Sequence, residues 1–137
     1  MKTLITLLLL TSFALSAQQR DDNTIIIENF GSFDKIESLL MMNFYEVEIS
    51  ETRFSTKPKP IEGSVIAIDL NVTLHGFLVN NQLITYATYT FRSGAAETHS
   101  GRARWSGRRN IGSRIAFDEL QRVIKQLGYE LSYREMN

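Results

Sequence analysis

Residues 64–92 read SVIAIDLNVTLHGFLVNNQLITYATYTFR, and the alternation in this stretch decides the fold. Ile66, Ile68, Leu70, Val72, Leu74 and Leu78 fall on one face of an extended chain, while Asp69, Asn71, Thr73 and His75 fall on the other. Asn80-Asn81 then supplies a two-residue hairpin turn, because both positions must tolerate positive φ and asparagine does so readily. That turn sets the register. Leu78 faces Leu83, Leu74 faces Ala87, Val72 faces Tyr89 and Leu70 faces Phe91; on the opposite side His75 meets Tyr86, Thr73 meets Thr88 and Asp69 meets Arg92. A slip by one residue would lose the apolar pairs and the charge pair together.

C-terminal to the hairpin, a loop at Ser93-Gly94-Ala95-Ala96 leads into a third strand over residues 97–106. There His99, Gly101, Ala103 and Trp105 alternate with Ser100, Arg102, Arg104 and Ser106. Trp105 on the core side near Leu83 places Arg102 and Arg104 on the outer face near Tyr86 and Ile84, an arrangement that needs a loop of odd length. Residues 107–112 form a basic loop, and Ser113 can cap a last helix whose stripe is Ala116, Phe117, Leu120, Val123, Ile124 and Leu127. Gly128 stops that helix, and Asp118 and Arg122 are spaced for an i,i+4 pair.

N-terminal to the hairpin, Thr56-Lys57-Pro58-Lys59-Pro60 reads as a surface linker, since proline does not sit inside a sheet. Tyr45-Glu46-Val47-Glu48-Ile49 alternates as a strand. Before it, Phe33, Ile36, Leu39, Leu40 and Phe44 follow at helical spacing, with Ser32 as N-cap and Asn43 as a left-handed end. The β-branched run over residues 24–30 is a buried strand. The expected fold is α+β in the order β-α-β-β-β-β-α: a mostly antiparallel sheet of four to five strands with two helices packed on one face.

The chain has 137 residues, 43% of them hydrophobic, with 15 Lys+Arg against 15 Asp+Glu and no cysteine. That length suits one domain. The charge balance argues against a nucleic-acid or membrane-surface polycation, and zero cysteine excludes disulfides, a thiol nucleophile and thiolate metal sites. Met1-Lys2-Thr3, the apolar run from Leu4 and the small-residue patch ending at Ala17 form a secretory signal pattern. The expectation is a signal peptide over residues 1–17, a mature α+β domain over 18–137 beginning near Gln18, and a periplasmic or secreted location with no stable transmembrane segment after cleavage.

Chemistry-bearing residues are few. His75 and His99 are the only histidines, and the register sends them to opposite faces, so no metal site is expected, nor any cofactor. No serine sits in a nucleophile elbow, and no histidine–acid pair has a motif around it, so no catalytic residue is assigned. Charge is segregated. Residues 21–51 hold eight acids and one base, whereas residues 92–114 hold six arginines and one acid. Arginine without lysine suits bidentate recognition of carboxylate and phosphate; equally, arginines solvate a sheet face and answer acids of the same fold. The binding candidates are His75, Phe77, Ile84, Tyr86, Arg102, Arg104, Arg108 and Arg109.

The export signal, the strand over 24–30, the helix ending Asn43-Phe44-Tyr45-Glu46-Val47 and a meander closing in Gly101-Arg102-Ala103-Arg104-Trp105-Ser106 before the last helix make a set. In this order of elements the chain resembles small bacterial envelope domains related to the amino-terminal domain of TolB and to penicillin-binding-protein activator lipoproteins. The resemblance implies a non-enzymatic partner of larger envelope machines; the missing lipobox cysteine is a departure from it. The expected function is thus a non-catalytic envelope accessory or binding domain that uses the outer sheet face. The competing readings are an arginine-rich module for an anionic polymer (glycan, lipid headgroup or nucleic acid) and a small hydrolase without a visible motif.

Overall fold

The computed structural model describes residues 21–61, 69–93, 96–105 and 111–136. The expected signal peptide and mature start, the first residues of the long strand (64–68), Gly94-Ala95 and the basic loop residues 107–110, with Arg108 and Arg109, lie outside them.

Strands β1 (Thr24–Ile27), β2 (Val47–Ile49), β3 (Arg53–Thr56), β4 (Lys59–Pro60), β5 (Asp69–Val79), β6 (Gln82–Ser93), β7 (Ala96–Arg102) and β8 (Ser132–Arg134) form one antiparallel sheet with two helices, α1 (Asp34–Met42) and α2 (Ile111–Lys125). The fold is α+β, as expected, with more strands than the sequence suggested. The β5–β6 hairpin is its spine. Asn80 and Asn81 both take left-handed φ, 51° and 62°, and the expected register holds from Asp69↔Arg92 through His75↔Tyr86 to Val79↔Gln82.

Shorter strands share the two edges of this hairpin. β3 and β4 lie along β5, and β1 and β7 lie along β6, while β2 and β8 close the ends in the order β2-β3-β5-β6-β1-β8. Lys59 and Pro60, expected in a linker, instead bridge Val72 and Asn71. The pairing is tolerated because β4 is only two residues long and sits at an edge, where proline's missing N–H is not needed. β7 runs two residues further along β6 than expected: Arg102 pairs with Thr88, not Tyr86. A bulge between Phe91↔His99 and Arg92↔Glu97 supplies the odd residue that the expected loop required, so the faces are right although the register is not. The strand ends at Arg102, and Ala103 N–H still donates to Ala87 O at 2.9 Å.

The aliphatic face of the hairpin (Leu70, Val72, Leu74, Leu83, Ala87) joins Ile25 and Ile27 of β1 in a core closed by Ile36 and Leu40 of α1 and by Phe117, Leu120 and Ile124 of α2. Two glycines permit its tightest contacts. A Cβ on Gly76 would lie 2.1 Å from the Phe54 ring, and one on Gly112 would lie 2.0 Å from the Phe91 ring. The helix ends differ from expectation. Phe33, not Ser32, precedes α1 and gives no side-chain cap. Asn43 is not left-handed; Phe44, at φ 66°, is. Ser113 lies inside α2 and accepts a hydrogen bond from Arg104 N–H at 2.8 Å instead of capping. Gly128, at φ 82°, does end the α2 region. Asp118 pairs with Arg114, whereas Arg122 turns to Glu119.

Candidate functional site

On the face away from the helices, the register lines up Glu48 with Ser55, Ser55 with His75, and His75 with Tyr86, one transverse row across four strands. The adjoining row carries Arg53, Phe77, Ile84 and Ile26. Between the two rows lies an open depression of ≈ 550 Å³, lined among others by Glu48, Arg53, Ser55, His75, Phe77 and Tyr86.

Tyr86 is the centre of a stack. The His75 ring lies 4.6 Å from the Tyr86 ring, centroid to centroid, with 12° between their planes. The Arg102 guanidinium carbon lies 4.2 Å from the same ring centroid. His75 comes from β5 and Arg102 from β7, the strands on either side of β6, so they approach the phenol ring from opposite sides. A cation over an aromatic face is attracted by the ring quadrupole. Arg102 Nη2 also donates to Thr24 Oγ1 at 2.6 Å and so ties β7 to β1, while Arg102 Nε is buried without a hydrogen-bond partner. His75 Nε2 lies 2.9 Å from Thr88 Oγ1. Burial, and then the Arg102 charge, hold the imidazole below its ordinary pKa, so at neutral pH it is an uncharged ring against a cationic neighbour.

His75, Phe77 and Tyr86 line the depression, and Arg102 lies over the Tyr86 ring; all four are half-buried. Ile84 is not an exposed contact residue: it lies between Ile26 and Phe77 in its row and is only 7% exposed, which makes it part of the scaffold. Arg104 also leaves the group. Past the end of β7 its guanidinium turns to Asp21, at 2.7 Å, and to Glu135, at 3.5 Å. Arg53, Ser55 and Glu48 were missed. The alternation in Arg53-Phe54-Ser55-Thr56 was the available signal, since Phe54 and Thr56 are buried and the other two are not. Among the described residues, no group of three His, Asp or Glu side chains is placed to hold a metal ion, and no helix is long and apolar enough to cross a membrane.

A second polar cluster lies on the helix side, and no motif announced it. The Tyr45 hydroxyl donates to Glu119 Oε2 at 2.6 Å, and Arg122 Nε donates to Glu119 Oε1 at 2.8 Å. Lys59 Nζ lies 3.6 Å from Glu119 Oε2 and donates to Asn43 O at 2.7 Å; Arg122 Nη1 donates to Asn43 Oδ1 at 3.0 Å. Burial alone would raise the Glu119 carboxyl, but the hydrogen bonds from Arg122 and Tyr45 and the charges of Arg122 and Lys59 hold it below the ordinary carboxylate range. Burial first, and then the hydrogen bond to Glu119, push the Tyr45 phenol far above its usual value. Beside this cluster Phe44 projects outward, 85% exposed, from a left-handed backbone that costs a residue with a Cβ roughly 1–2 kcal/mol. The signal that could have exposed the cluster is Glu119 itself, a charge at helical spacing between Ala116 and Val123 on the apolar stripe.

No known protein-family model matches this sequence, and a comparison with curated proteins finds no match.

Proposed function

We propose that this chain is a non-catalytic binding domain, exported to the bacterial envelope, that recognises its partner through the outer face of its sheet. The observation that carries this reading is the Arg102–Tyr86–His75 stack beside a depression that also presents Arg53 and Phe77. Aromatic and arginine side chains in a partly desolvated hollow combine contact area with directional hydrogen bonds, the chemistry of interface hot spots. The signal pattern over residues 1–17 and the likeness in element order to small envelope domains support the location.

The wider arginine distribution favours a discrete partner over an anionic polymer. Arg104 is engaged by Asp21 and Glu135, Arg114 by Asp118 and the Trp105 carbonyl, and Arg122 by Glu119. These arginines answer acids of their own fold. The hydrolase reading lacks an oriented base: the described partners of His75 are Thr88 and the Tyr86 ring, with no carboxylate behind the imidazole.

The test replaces Arg53 and Tyr86 by alanine and measures Tm together with partner capture from a native envelope extract. Lost capture at intact Tm supports the reading. Capture that survives both substitutions refutes it, and capture that weakens steeply with salt assigns the face to a polyanion.

A further inference from the structure

Glu119 is satisfied on both oxygens, by Arg122 on one and by Tyr45 and Lys59 on the other, while the two cations around it keep donors open to solvent. Arg122 uses Nε and Nη1, which leaves Nη2 without a partner among the described residues. Lys59 has three hydrogens, directed to the Asn43 carbonyl and the more distant Glu119, with its ammonium 4.5 Å from the centroid of the Tyr45 ring and 6.0 Å from that of Phe44. Two cations against one carboxylate leave the cluster with a surplus positive charge. That surplus opens into a depression of ≈ 520 Å³ lined by Phe44, Lys59, Pro60, Ile61, Glu119 and Arg122. Its walls are therefore apolar at Phe44, Pro60 and Ile61 and cationic at its Lys59–Arg122 end.

Phe44 forms one wall of this hollow. Its left-handed φ closes α1 in a Schellman turn, in which Tyr45 N–H donates to Leu40 O at 2.9 Å and Phe44 N–H to Met41 O at 3.0 Å. The turn leaves the Phe44 ring 85% exposed beside the cluster, while the next residue, Tyr45, reaches inward to Glu119.

We propose that this hollow binds a monocarboxylate carrying an apolar group. The carboxylate would meet the open donors of Lys59 and Arg122, and the apolar group would lie against Phe44, Pro60 and Ile61. The volume is in the range of small-molecule sites. The site lies on the helix side of the sheet and is independent of the outer-face reading.

The probes are octanoate and N-acetyl-phenylalanine, with octanol and N-acetyl-phenylalaninamide as uncharged counterparts; amide shifts of Phe44, Lys59 and Ile61 on titration are the readout. Both acids bind, and the uncharged counterparts bind at least roughly tenfold more weakly. Octanoate alone would assign the hollow to aliphatic acids, and N-acetyl-phenylalanine alone to peptide carboxyl termini; either supports the site. Lys59→Gln weakens binding by roughly tenfold. Glu119→Gln strengthens it, because removing the internal anion doubles the surplus charge. Phe44→Gly weakens binding while raising Tm, since glycine relieves the left-handed backbone and removes one wall. Uncharged probes that bind as well as the acids, no response to either acid at millimolar concentration, or a Glu119→Gln variant that remains folded and loses binding would each overturn the proposal.

Discussion

The His75 imidazole lies nearly parallel to the Tyr86 ring, 12° from coplanar at 4.6 Å between centroids, in a cross-strand pair that the β5–β6 register imposes. Arg102 holds the other side of Tyr86 at 4.2 Å. The stack couples three strands and gives the outer face a charged, aromatic centre.

This relationship makes stability depend on pH. With its pKa lowered by burial and by Arg102, His75 binds a proton less readily in the folded protein than in the unfolded chain. The stability this confers is complete above the ordinary histidine range and is lost as pH falls through that range toward the folded value. Chemical denaturation at about pH 7.5 and about pH 5.5 should show a smaller loss of stability in His75→Asn than in the wild type. Equal losses would mean that burial and the Arg102 charge together do not lower the imidazole pKa in the folded protein.

Gly76 exists for Phe54. With a Cβ falling 2.1 Å from a ring that is 2% exposed, Gly76→Ala must displace Phe54 and should cost about 1–3 kcal/mol. The double variant Gly76→Ala with Phe54→Leu should destabilise by less than the sum of the single changes, because Phe54→Leu removes the ring that the added Cβ would strike. Additive losses by urea denaturation would refute the contact.

Glu119 should set part of the acid limb. Its carboxyl is held below the ordinary range in the folded state, so its contribution is present above that range and lost as pH falls through the folded value. Tyr45→Phe, which leaves Glu119 Oε2 short of its 2.6 Å donor, should cost about 1–2 kcal/mol. Glu119→Gln should flatten the decline in Tm below about pH 4.5. An unchanged acid limb would show that the cluster does not hold the carboxylate.

How much of this was legible in the sequence differs by element. The hairpin was readable because period-two alternation and Asn80-Asn81 specify the same register independently. The β7 register was not, because the bulge opposite Phe91 and Arg92 adds a residue without a side-chain signature. β4 was hidden because prolines argue against a strand and only an edge tolerates them. On the outer face, His75, Phe77 and Tyr86 followed from parity, and Arg102 reached Tyr86 from a different register position. Arg104 could not be placed, because its partners Asp21 and Glu135 lie near opposite ends of the chain. The Tyr45–Glu119 bond joins residues 74 apart, and nothing local in either segment announces the other.

The proposed export makes a separate prediction. Protein recovered from the periplasm or medium should begin near Gln18, as read by intact mass, and remain in the supernatant at high centrifugal force. A product that retains Met1 or Lys2 would contradict the signal reading.

The outer face is most directly tested by site-specific photocrosslinking in intact cells. A photoreactive phenylalanine analogue at position 77 faces the depression, while the same analogue at position 125 lies at the exposed end of α2. A discrete adduct should form from position 77, not from position 125, and should vanish in Arg53→Ala, a change at an exposed residue lining the depression, at unchanged Tm. Adducts of equal yield from both positions, or an adduct at position 77 indifferent to Arg53→Ala, would contradict recognition through this face.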